Sequence, residues 1–161
     1  MSRTIFKKEN GFSLLGVILS VFICSVSLVA FLSLINISLT AAELSKMRLT
    51  AAGLAQEGVE VVRNFRDHQE DWDAWYLAVA NGDFRVQYNS DDFLNYAETP
   101  LKTNASGLYQ YDDSGANSPF YRKVSLTKIS ANEVKVAVEI KWFAHREWRY
   151  VRVEDRLWNW R

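Results

Sequence analysis

Residues 12–42 contain no charged side chain, and the first 24 of them, FSLLGVILSVFICSVSLVAFLSLI, are dominated by large apolar residues. No other feature of this 161-residue chain restricts its fold as strongly. About 20 consecutive apolar residues cross the hydrocarbon layer of a bilayer as a helix, whereas a buried helix of a water-soluble protein rarely stays apolar on every face for so long. The run is therefore read as a membrane span. Arg3, Lys7 and Lys8 precede it against a single acid, Glu9. Basic flanks stay on the cytoplasmic side, so the expected arrangement is a single pass through the cytoplasmic membrane, N-terminus inside and the C-terminal domain outside. A cleavable secretory signal has a shorter apolar core followed by a small-x-small cut site. Here the apolar core is longer and runs on into helix-forming sequence, so the segment is expected to stay attached.

The stretch KKENGFSLLG, residues 7–16, passes from polar to apolar at one peptide bond, Gly11–Phe12. Two lysines, a glycine, an aromatic and an uninterrupted apolar run resemble the processing site of type IV prepilins and pseudopilins. The resemblance implies a leader, residues 1–11, removed by prepilin peptidase after Gly11, and N-methylation of the new terminal Phe12. It also implies an α+β fold in which a long N-terminal helix, half transmembrane and half amphipathic, packs on a C-terminal antiparallel β-sheet. Membrane lipid before assembly, and other pilin subunits in a hetero-oligomeric filament outside the cytoplasm afterwards, are the implied partners. Members of the family commonly carry glutamate as the fifth residue after the cut, where this chain has Gly16. A carboxylate in the apolar layer costs a few kcal/mol unless it is paired, so a chain without it needs no partner charge there. In this the chain resembles minor subunits, including some placed at filament tips. Many major pilins also carry a helix-breaking proline in the span, and this run has none.

After the span, AAELSKMRLTAAGLAQEGVEVVRNFRD continues without proline and mostly in good helix formers. Leu44, Met47, Ala51, Leu54, Gly58, Val61 and Phe65 recur at alternating spacings of three and four, which is one apolar stripe on a helix. A coiled-coil partner would use the same stripe, but the following domain offers a nearer surface, so packing on the chain's own sheet is preferred. Glu43, Lys46, Glu57, Glu60 and Arg63 fall opposite and suit water or neighbouring subunits. A helix from Phe12 to about Arg66 would be on the order of 80 Å long at roughly 1.5 Å per residue, residues 12–42 forming its transmembrane half and 43–66 its amphipathic half. LAQEGVEVVRNFRD resembles the helix end of minor pilins of the pilus-modification type. Within the membrane half, Gly16, Ser20 and Cys24 recur every four residues. Small residues so spaced let two helices approach closely, while serines in such a helix also bond back to its own carbonyls, and the spacing admits both readings.

Residues 67–119 are punctuated by NGD, NSDD, TP, NASG and DDSGANSP and read as an acidic, loop-rich connection. DAWYLAVA suggests a turn or two of helix and DFRVQYN a strand. The last third, 120–161, is clearer: FYRKVSLTKI, EVKVAVEIKWFA and EWRYVRVEDRLWNW are separated by the turn-sized SAN and HR, which short connections make an antiparallel meander. Val134, Val136, Val138, Ile140 and Trp142 share one face of the middle strand, with Lys135, Glu139 and Lys141 on the other. Val151, Val153 and Leu157 form the matching stripe of the last strand, opposed by Arg152, Glu154 and Arg156. The apolar face needs a cover, which the helix stripe ending at Phe65 can supply.

Charge is balanced at 19 basic and 19 acidic residues but unevenly placed, with a net −8 over residues 67–113 and +5 over 114–161. Nothing in the sequence supplies a catalytic constellation, a cofactor fingerprint or a metal-ligand set. His68 and His145 have no second His or Cys at ligand spacing, and the one cysteine, Cys24, has no partner for an internal disulfide. DDSGANS clusters oxygen ligands without the alternating acids of a calcium loop, and reads as a solvated turn. Asn104-Ala105-Ser106 is a formal glycosylation sequon. Arg146, Trp148, Arg149, Arg152, Arg156, Trp158, Trp160 and Arg161 could pair phosphates and stack bases of a nucleic acid, although Glu147, Glu154 and Asp155 compete for that charge and aromatics also pack small sheets. The expectation is a structural subunit that assembles through its N-terminal helix, is not an enzyme and uses no cofactor; the rival is a pilus-tip binding module, an adhesin or DNA-uptake receptor.

Overall fold

The computed structural model describes residues 14–69, 71–89, 93–112 and 115–160. The chain forms two compact units, Met1–Glu43 and Leu44–Arg161, and helix α1, Leu14–His68, contributes to both. No residue of α1 before Ala51 is buried. The core of the described residues therefore lies wholly within the Leu44–Arg161 unit.

That unit is α+β, with the second half of α1 packed on an antiparallel sheet. After α1 comes a short helix, α2, Trp72–Ala78. Asp71 caps it from an extended backbone, its carboxylate accepting the amide of Asp73 at 3.3 Å, which satisfies one of the free donors of the first turn. The strand expected from DFRVQYN is shorter, β1, Gly82–Arg85. It is followed by β2 (Leu94–Asn95), β3 (Lys102–Thr103), β4 (Tyr109–Gln110) and β5 (Ala116–Asn117). The long strands are β6 (Phe120–Ser130), β7 (Glu133–Ala144) and β8 (Glu147–Trp158).

β6, β7 and β8 form the meander, and β1 and β2 extend it into five strands in the order β2-β1-β6-β7-β8. Residues 67–119 thus supply two strands of the main sheet, and β4-β3-β5 form a second small sheet. The β7–β8 turn holds His145 and Arg146 at φ 54° and 67°, the left-handed conformation that lets a two-residue turn follow the twist of its strands. Register is set by the alternation of side chains: Val134, Val136, Val138, Ile140 and Trp142 are all buried, and facing them across β8 are Leu157, Val153 and Val151. A slip of one residue would turn this entire set to solvent.

Candidate functional site

Two surfaces of α1 carry the assembly reading, and they differ in what touches them. In residues 14–43, large apolar side chains such as Leu14, Phe22 and Phe31 are 76%, 64% and 60% exposed. The segment includes a window long and apolar enough to cross a membrane, with 0% of it buried. Ser20 donates its hydroxyl to the carbonyl of Gly16 at 2.7 Å, and Ser25, Ser27 and Ser33 do the same to Val21, Ile23 and Val29. These hydroxyls are satisfied within their own helix, so they place no polar demand on an apolar surrounding. A Cβ on Gly16 would meet nothing within 4 Å, and Cys24 is an exposed free thiol. Gly11 and Phe12, the expected cleavage and methylation positions, lie outside the described residues.

From Leu44 onward the helix meets the sheet. Ala51, Leu54, Gly58 and Val61 are buried, and Leu44, Met47 and Phe65 are partly buried against the core. Ala55, Val59 and Val62 are buried too, so the covered stripe is wider than a three-four spacing alone implies. A Cβ at Gly58 would lie 2.9 and 3.3 Å from Cγ1 and Cγ2 of Val138, closer than carbon atoms pack. Helix and sheet approach here to a distance that only glycine permits.

Arg122 is the residue that pattern reading passes over. It is 1% exposed on the helix-facing side of β6. Its Nη1 donates to Glu57 Oε1 at 2.9 Å and to the carbonyl of Leu54 at 3.3 Å, and its Nη2 donates to the carbonyl of Val86 at 2.7 Å. One guanidinium thereby joins α1, β6 and the chain following β1. A signal was available: in FYRKVSLTKI, Arg122 shares the parity of Phe120, Val124 and Leu126, so alternation alone puts it on the apolar face. The assignment of Glu57 and Arg63 to the water-facing side of the helix is corrected by the same contacts. Glu57 turns to Arg122, and Arg63 donates to Asp155 at 2.8 Å, because both sit at the margins of the widened stripe where a long side chain reaches the sheet.

Titration follows these contacts. Burial pushes the Tyr111 hydroxyl above its usual value against the opposing charge of Arg122, and that hydroxyl donates to the Arg122 carbonyl at 3.0 Å. Burial likewise raises Tyr96. A hydrogen bond to Glu98 raises Lys141, and one to Asp155 raises Arg63.

On the outer sheet face, Phe143, Trp148 and Tyr150 are 53%, 54% and 72% exposed. Trp148 meets Phe143 and Tyr121 edge-on, with ring centroids 5.4 and 5.8 Å away, and Lys141 lies over its ring. Of the residues considered for nucleic acid, Arg149, Arg152 and Arg156 each pair with a carboxylate, Glu147, Glu154 and Glu133 respectively. Arg66 lies over the ring of Trp160 and bonds the carbonyl of Trp158. Arg146 and Trp148 are exposed, and Arg161 lies outside the described residues.

Comparison of the chain with protein-family models, curated proteins and solved structures returns no match.

The remaining sequence candidates are placed as follows. His68 sets its Nδ1 2.8 Å from the Asn64 carbonyl in the preceding turn of α1, and His145 belongs to the β7–β8 turn. Among the described residues there is no group of three or more His, Cys, Asp or Glu that could hold a metal ion. Residues 113 and 114 of DDSGANS lie outside the described residues. The side chain of Asn104 is committed to its own loop: its oxygen accepts the amides of Ser106 and Leu108 at 2.9 and 3.0 Å, and its nitrogen donates to Gln110 at 3.1 Å. A pocket of about 300 Å³, half polar in its lining, is walled by Phe65, Gln69, Trp75, Val79, Phe84 and Phe93. The Trp75 indole N–H is buried and has no hydrogen-bond partner among the described residues.

Proposed function

We propose that the chain is a structural subunit, of the minor kind, of a type IV pilus or related pseudopilus. On this reading prepilin peptidase cuts between Gly11 and Phe12, Phe12 is methylated, and the apolar half of α1 first rests in the cytoplasmic membrane and then joins other subunits in a filament core. The observation that carries the proposal is the wholly unburied apolar surface of residues 14–43 on the same helix that anchors a folded sheet domain. Such a surface is covered by lipid or by other apolar helices, and exchanging one cover for the other asks nothing of Ser20, Ser25, Ser27 and Ser33, which are bonded internally. Gly16 in place of an acid supports a minor position, because no charge within the span has to find a partner.

The test is mass spectrometry of the full chain expressed with and without a prepilin peptidase. A mature N-terminus at Phe12 carrying a methyl group, formed only with the peptidase, is the expected result. An intact residue 1, or a cut on the far side of the apolar run, would remove the proposal's support.

A further inference from the structure

Strand β8 is an edge of the five-stranded sheet, with β7 as its only neighbour among the described strands. Two contacts tell which of its backbone groups face outward. The amide of Asn159 donates to the carbonyl of Asn132 at 3.0 Å, so in the alternation of an antiparallel ladder the odd-numbered residues of β8 bond inward to β7. The even-numbered ones then face the open edge. In agreement, the Arg156 amide is taken by the Asp155 carboxylate at 2.8 Å, and the Trp158 carbonyl by Arg66 at 3.3 Å. The even-numbered side chains stand on the outer face, and in order they are Trp148, Tyr150, Arg152, Glu154, Arg156 and Trp158.

Read backwards, this series complements itself. We propose that β8 pairs antiparallel with β8 of a second copy about a two-fold axis through Val153, joining two Leu44–Arg161 units into one continuous sheet. Trp148 then faces Trp158 of the second copy, Tyr150 faces Arg156, and Arg152 faces Glu154, each pair occurring twice by symmetry. These are the aromatic, cation–π and opposite-charge pairs that stabilise neighbouring strands. All the facing residues with outward backbone groups meet one another at two main-chain bonds per facing pair, about a dozen in all, of which four form only as the Arg156 amide leaves the Asp155 carboxylate and the Trp158 carbonyl leaves Arg66. Register is selective. Sliding by two residues in either direction sets Arg152 against Arg152 or Glu154 against Glu154 on the axis, and like charges directly opposite are destabilising. On the other face the half-buried Val153 is covered by its own copy.

The two-fold axis stands normal to the sheet and reverses every direction in its plane. The α1 segments packed on the two sheet halves therefore run in opposite senses. The reading of residues 12–42 as a span or filament core concerns the other unit. The pairing itself does not depend on that reading, and can be measured without the apolar half of α1, because the Leu44–Arg161 unit contains the entire core of the described residues.

Sedimentation of the 44–161 fragment from micromolar to millimolar concentration should show a monomer–dimer equilibrium. Arg152→Glu or Glu154→Arg alone should weaken it about tenfold, since each turns two facing attractions into repulsions, and the double reversal should restore it to within about threefold. The fragment has no native cysteine, so Val153→Cys should form a disulfide-linked dimer under mild oxidation while Val151→Cys, far from its own copy in this register, should not. A fragment monomeric throughout, a dimer indifferent to the single reversals or not rescued by the double one, or cross-linking equal at 151 and 153 would overturn the proposal. Circular dichroism identifies any reversal variant that misfolds, and for such a variant the cysteine pair decides alone. Processing at Phe12 is unaffected by either outcome, so failure here and failure of the filament reading are told apart.

Discussion

Between Leu14 and Glu43 helix α1 buries nothing, and between Ala51 and Val62 it buries seven residues. Backbone geometry is common to both halves, so the contrast comes from side chains. In the first half bulky apolar residues surround the axis, and no single face is preferred over another as a seat for a sheet. In the second, charged residues exclude most of the circumference, and the covered stripe carries Ala51, Ala55 and Gly58, small enough to bring the axis close to β6 and β7. A surface apolar all round suits an apolar surrounding of no fixed shape. A narrow stripe of small and branched residues suits one permanent partner, because tight packing is specific to shape.

Arg122→Ala should break this contrast most severely. It removes the guanidinium that ties Leu54, Glu57 and Val86 together and leaves a cavity at the seam, a loss of about 3–5 kcal/mol in unfolding of the 44–161 fragment. Membrane partition of the full chain, measured by vesicle flotation, should stay unchanged. Leu28→Arg should do the reverse. Its penalty of roughly 2.5–3.5 kcal/mol falls on membrane insertion, and the melting of the sheet domain should not move. Smallest is a sign test within one helix. Gly58→Ala should cost about 1–3 kcal/mol by overpacking against Val138, whereas Gly53→Ala, whose Cβ would meet nothing within 4 Å, should gain about 0.5–1 kcal/mol from helix propensity. Equal shifts at the two glycines would mean that the close approach of helix and sheet is not what Gly58 provides.

Much of the fold was legible because it is periodic. A charge-free run, a three-four stripe and a two-residue alternation each report local geometry, and the turns SAN and HR bracket strands that end within a residue or two of the expected points. The helix continues to His68, two residues past the expected Arg66. Residues 67–119 were harder to read, since β2 to β5 are two residues each and so short a strand carries no period. The seam was half legible. Its apolar members follow from spacing, but sequence position puts Glu57 on the opposite side, and Arg122 is a lone cation among apolar residues of the same parity.

Composition and order along the chain were sufficient for an apolar helix leading into an amphipathic one and a three-stranded meander, because hydrophobic burial and hydrogen bonding within elements depend on near neighbours. Folding alone could assign Arg122 to Glu57, place β1 beside β6, and require glycine at position 58. Those choices rest on groups dozens of residues apart, whose energies arise only once the surrounding core has excluded water.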